Sequence, residues 1–136
     1  NMDEAAILAN MEVKTVEDME TAGRIILKSG CKNILLKGGH LESTIITSLL
    51  LSENGKLTSF ETEKFITSNT HGSGCTLSSA IAAFLARGED LDYAVTLAQK
   101  YVFEAIKNGK DVITGKGNGP LNHFFNPHKL IKNDLV

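Results

Sequence analysis

Apolar positions along this chain recur in two rhythms, one at helical spacing and one in short continuous runs, and their alternation sets the expected elements. Asp3–Ala9, with Ala5, Ala6, Leu8 and Ala9 as good helix formers, reads as a short helix. Thr15-x-x-Asp18 resembles a capping box, and the helix it opens carries Met19, Ala22, Ile25 and Ile26 on one side before stopping at Gly30. Asn33–Leu36 reads as a short apolar strand suited to the buried middle of a parallel sheet, with Gly38 and Gly39 just past its carboxyl end. Thr44–Leu51 and Lys56–Phe60 flank Ser52-Glu53-Asn54-Gly55, and Asn-Gly between strand-like runs predicts an antiparallel hairpin. Lys64–Thr67 reads as a further short strand delivering the chain to a glycine loop. The following helix repeats Leu77, Ala80, Ile81, Phe84 and Leu85 and meets Gly88 as its cap. Asp90 or Asp92 opens the next, with Ala94, Val95, Ala98, Tyr101, Val102, Ala105 and Ile106 as its buried stripe before Gly109. An irregular stretch over 116–123 precedes a short terminal helix near His128–Lys132. The alternation predicts a layered α/β fold with three or four sheet strands.

Composition narrows the classes. The 136 residues amount to one domain or less, and 42% hydrophobic with 22% charged residues is ordinary for a globular protein. A net charge of −2 argues against a nucleic-acid partner, which usually demands a basic face. No apolar run is long enough to cross a bilayer, so no membrane partner is expected. Two cysteines and no secretory signal point to a reducing cytoplasm. Cys31 and Cys75 are expected to be unpaired, Cys31 as a small packed hydrophobe. The first residue is Asn1 rather than methionine and the chain opens directly on a helix, so a piece of a longer domain is expected.

The chemistry concentrates in Asn69-Thr70-His71-Gly72-Ser73-Gly74-Cys75. A glycine loop that turns into a helix aims several backbone N–H groups and the positive end of the helix dipole at one spot, which suits phosphate. Each part is ambiguous alone, since glycines also serve plain turns and cysteines also pack. The loop is neither a Walker loop nor a dinucleotide fingerprint. Cys75 at the helix mouth is placed to act as base or nucleophile. His71 reads as a phosphate donor or a hydrogen-bonded loop residue, and Lys37 as a point charge for phosphate or a solvated strand end. His40 reads as a polar wall, and His123 and His128 as exposed loop residues. Asn1 and Glu4 share one face of a helical turn, where they either hold Mg²⁺ through water or simply cap the helix.

Taken in order, Asn1-x-x-Glu4, Leu36-Lys37-Gly38-Gly39-His40-Leu41, Asn69 to Ser78 and Gly117-x-Gly119-Pro120-Leu121-Asn122-His123 closely resemble the C-terminal half of the hydroxymethylpyrimidine/phosphomethylpyrimidine kinases. The resemblance covers essentially the whole chain and implies a ribokinase-like fold, a Rossmann-like α/β/α layering of which residues 1–136 form the C-terminal portion of the sheet. It implies transfer of the γ-phosphoryl group of ATP to 4-amino-5-hydroxymethyl-2-methylpyrimidine and then to its monophosphate, in thiamin biosynthesis. Gly72, Ser73, Gly74 and Cys75 then form an anion hole, Ser73 standing where threonine is more usual. Cys75 takes the place of an aspartate base found in many relatives, Lys37 contacts nucleotide phosphates, and Asn1 with Glu4 supports Mg²⁺. A pyridoxal or pyridoxine kinase on the same scaffold is the nearest alternative; an inactive phosphate-binding fragment is the second. A half-sheet exposes an unpaired edge and an apolar face, so a homo-oligomer or pairing with an N-terminal half is expected.

Overall fold

A computed structural model describes residues 1–39 and 43–127 of the chain. Four helices and three strands follow one another as α1 (Met2–Ala9), α2 (Val16–Leu27), β1 (Asn33–Lys37), β2 (Ile45–Ser52), β3 (Leu57–Glu63), α3 (Ser73–Ala86) and α4 (Leu91–Lys107). His40, His128 and the helix expected near His128–Lys132 lie outside the described residues.

The local signals hold where short-range chemistry decides. Thr15 accepts from the Asp18 N–H while the Asp18 carboxylate accepts from the N–H groups of Lys14 and Thr15, a complete capping box. Those bonds, Lys14's first, hold the Asp18 carboxyl below its ordinary range. The core stripe of α2 is Met19, Ala22, Gly23 and Ile26, a spacing of three and four that leaves Ile25 off the buried face. At Gly23 a Cβ would stand 2.8 Å from Leu51 Cδ1 and 3.2 Å from Leu36 Cδ1, so the missing side chain lets α2 lie close against the sheet.

The sheet corrects the expected topology. Its order is β1-β2-β3 and both pairings are antiparallel, Leu35 opposite Leu50 and Leu50 opposite Thr58. Among the described residues Asn33–Leu36 is therefore an edge strand with an antiparallel neighbour, not the middle of a parallel sheet. The link over 38–44 is too short for the crossover of about a dozen residues that parallel neighbours need. The central strand is instead β2, buried on both faces from Ser48 to Leu51. Leu49 and Leu51 join a core with Met2, Ala5, Met19, Ala22 and Leu36. Lys64–Thr67 forms no strand either. The Lys64 N–H still donates to Thr44 O, but beyond Glu63 no neighbouring strand remains among the described residues. Ile66 is fully exposed there, while the Phe65 ring packs 4.9 Å from that of Phe103.

The last two helices lean on one another. Helix α4 buries Ala94, Val95, Ala98 and Ala105. Asp90, not Asp92, caps it by accepting from the Tyr93 N–H. Asp92 instead ties α4 to β3, accepting from Lys56 Nζ at 2.8 Å and from the Thr58 hydroxyl at 2.7 Å. Lys56 first and Thr58 second hold its carboxyl below the ordinary value. Helix α3 is apolar around much of its circumference, yet Leu77 is its one buried residue. Among the described residues, no helix is long and apolar enough to cross a membrane.

Candidate phosphate site at the start of α3

Gly72 makes the site possible. Its φ of 83° is the left-handed conformation that glycine adopts without strain, and it turns the chain directly into α3. The helix thus begins at Ser73, and Gly74 and Cys75 belong to its first turn. The Ser73 N–H is used by the loop, donating to Thr70 O at 3.1 Å, and that of Thr76 returns to Gly72 O at 2.8 Å. Between them, the Gly74 and Cys75 amides have no protein acceptor among the described residues. Two open donors at the positive end of a 14-residue helix are the elements of a candidate anion site.

Lys37, thirty-six residues away in sequence from Ser73, completes it. A Cβ placed on Gly74 would lie 3.2 Å from Lys37 Nζ, so the ammonium rests against the first turn of α3. Lys37, Ser73, Gly74 and Asn1 line one cavity of about 360 Å³. Phe65 and, on α4, Val102, Phe103 and Ile106 give the same cavity an apolar part, beside the polar side chains of Glu63 and Gln99. The structure thus joins Lys37 to the glycine loop and adds an apolar wall that the sequence reading missed.

Cys75 faces elsewhere. Its exposed, unpaired thiol lines a second hollow of about 540 Å³ on the other flank of α3, with Thr76, Ser79, Arg87, Tyr101 and His123. His123 is exposed as expected, but it also stacks on Tyr101, with Nδ1 3.2 Å from the Tyr101 hydroxyl. The first turn of α3 is thus a thin partition, with the Lys37 ammonium and Gly74 on one side and the Cys75 thiol on the other. His71 is held by its backbone, its N–H donating to Gly119 O at 3.1 Å beside a bridge to Pro120. Its side chain is exposed.

Asn1 and Glu4 form the capping pair. Asn1 Oδ1 accepts from the Glu4 N–H at 2.9 Å, and Glu4 Oε2 accepts from the Asn1 nitrogen at 2.7 Å. Asn1 lines the Lys37 cavity, whereas Glu4 is not among the residues that line it. No cluster of three His, Cys, Asp or Glu side chains suited to a metal occurs among the described residues.

The sequence model of the phosphomethylpyrimidine kinases matches residues 1–122. A hydroxymethylpyrimidine/phosphomethylpyrimidine kinase of Staphylococcus aureus is 39% identical over 125 residues, covering 91% of this chain and 45% of that protein. The thiamine biosynthesis bifunctional protein ThiED of Geobacter sulfurreducens is 37% identical over 124 residues, 91% of this chain and 25% of that one. The solved pyridoxal kinase of Staphylococcus aureus superposes with a TM-score of 0.82 at 33% identity, over 90% of this chain and 45% of its own. That protein has also been solved in complex with AMP-PCP and pyridoxal. The chain spans less than half the length of these relatives. The α/β fold is ribokinase-like, and by sequence and structure together the chain belongs to the phosphomethylpyrimidine kinase family.

Proposed function

We propose that residues 1–136 act as the carboxyl-terminal part of a kinase domain that transfers the γ-phosphoryl group of ATP to hydroxymethylpyrimidine and then to its monophosphate, in cytoplasmic thiamin biosynthesis. The observation that carries this reading is the cavity that Lys37 shares with Gly74, whose amide is open, and with the apolar side chains of Phe65, Val102, Phe103 and Ile106. A nucleotide matches it end for end, its base against Phe103 and Ile106 and its phosphates at Lys37.

The partition suggests how the reaction runs. In-line phosphoryl transfer needs attacking and leaving oxygens on opposite sides of the phosphorus. With ADP leaving into the Lys37 cavity, the alcohol approaches from the Cys75 flank. The Cys75 thiolate takes the CH₂OH proton as the alkoxide oxygen bonds to the γ-phosphorus and the bond to the β-phosphate oxygen breaks. Gly72 and Ser73 set the turn, and the Gly74 and Cys75 N–H groups hold the charge that builds on the phosphoryl oxygens. Mg²⁺ fits as a water-mediated guest of Asn1 and Glu4, whose oxygens each already hold one N–H, and there it would neutralise nucleotide phosphate charge. Among the described residues β1 pairs on one side only, which favours a second copy or an N-terminal half as partner.

The test is ATP-dependent phosphorylation of hydroxymethylpyrimidine, the substrate that carries the CH₂OH proton, by the purified chain with Mg²⁺, with Cys75→Ala as control. Turnover that collapses in the variant supports the reading. A folded chain that binds ATP without turnover reduces it to a phosphate-binding portion of the domain. Pyridoxal belongs in the same assay, because the likeness to the Staphylococcus aureus pyridoxal kinase favours that alcohol as the second reading.

A further inference from the structure

Asn69 lies three residues before the turn at Gly72, and its side chain does more than fill space. It is 5% exposed. Its Nδ2 donates to Gly109 O at 2.7 Å and to Val112 O at 2.6 Å, with Lys110 O at 3.5 Å. Its Oδ1 lies against Gly119 so closely that a Cβ there would overlap it. Gly119 O in turn accepts the His71 N–H, at 3.1 Å. Thr67 reinforces the knot, its hydroxyl accepting from the Asn69 N–H and donating to Lys110 O. One amide side chain therefore fastens the segment 109–112 to the candidate anion loop and packs against Gly119 of a second segment, which the His71 N–H holds.

The first of those segments begins where α4 ends, within two turns of Phe103 and Ile106 of the apolar wall. We infer that Asn69 is a positioning residue that fixes the spacing between the phosphate wall, Lys37 and Gly74, and the apolar wall on α4. This rests on the nucleotide reading of the cavity. It touches neither substrate nor reacting atoms. It sets the geometry in which a two-part ligand engages both walls at once, and simultaneous engagement is what makes a linked ligand bind far better than its pieces.

That role has a signature that mere loss of stability does not share. Asn69→Asp keeps the shape but replaces the donor with a carboxylate facing the carbonyls of Gly109 and Val112. By calorimetry, affinity for AMP-PCP is expected to fall about tenfold or more, because small misplacement forfeits joint contacts, while tripolyphosphate and adenosine each stay within about threefold. Amide hydrogen exchange at His71, whose N–H reaches Gly119, is expected to quicken with that of 119–122, leaving the β2–β3 hairpin unchanged. Gly119→Ala strains the same knot from the opposite side and should give the same pattern if Asn69→Asp does not fold. Parallel loss for all three ligands, or unchanged exchange at His71, overturns the inference. If the wild-type chain binds no AMP-PCP, the nucleotide reading fails, and with it the spacing role, while the exchange data still judge the knot itself.

Discussion

Gly74→Ala should separate the stability of this chain from its capacity to bind nucleotide. Gly74 sits in the first turn of α3 at an ordinary helical φ, so alanine fits the backbone and gains up to about 1 kcal/mol of helix propensity, less near a terminus. The new methyl meets one atom, Lys37 Nζ, at 3.2 Å. That ammonium ends a flexible side chain and can withdraw by a few tenths of an ångström at little cost to folding. The withdrawal matters for binding. At an effective dielectric of about 20, moving an ammonium from about 4 to about 4.5 Å from a phosphate forfeits roughly 0.5 kcal/mol per unit of charge. Two phosphate charges nearby bring this to about 1 kcal/mol, or roughly a fivefold weaker complex. Urea unfolding should show Gly74→Ala no less stable than the parent, while calorimetric titration with AMP-PCP shows the fivefold loss. Unaltered affinity would refute the placement of Lys37 at the phosphates. A destabilisation beyond about 1 kcal/mol would refute the claim that only a yielding side chain stands in the way.

Other outcomes follow from the packing. Leu51→Ala, at a residue 1% exposed, should cost about 2–5 kcal/mol in urea unfolding. Adding Gly23→Ala should restore about 1 kcal/mol of that, since its methyl enters the space Leu51 vacates. Gly72→Ala must hold a φ of 83° with a side chain and should lose about 1–2 kcal/mol, with a weakened anion site. Asp92 titrates below its ordinary value of 3.8 because Lys56 and Thr58 hold the carboxylate, so its contribution is present above that pH and lost as pH falls through the depressed value. The stability gap between wild type and Asp92→Asn, followed by thermal unfolding, should therefore be widest near about pH 7 and close in acid.

What could be read without coordinates was what is decided within a few residues. The Thr15–Asp18 box, the Asn54-Gly55 turn and the loop-to-helix entry at Gly72 each rest on neighbours in the chain. The antiparallel pairing of β1 with β2 was not legible because an apolar run looks alike in either direction, and connection length, not the run itself, decides. Lys64–Thr67 has a strand's composition without a strand's neighbour. Within the site, Lys37 and the glycine loop were each legible as candidates, but their contact at Gly74 is tertiary. Asn69 was visible only as a motif letter, because its acceptors stand forty and more residues downstream. The one advance signal was that Asn69 and Gly119 belong to two motifs that occur together.

The partition formed by the first turn of α3 also bears on inhibitor design. Because the thiol of Cys75 opens into the hollow beside Tyr101 and Arg87, a mild electrophile built on a small aromatic frame can reach it without entering the cavity of Lys37. Such a compound would not compete for space with cellular nucleotide, so millimolar ATP would not dilute its effect in the way it blunts ligands that mimic adenine.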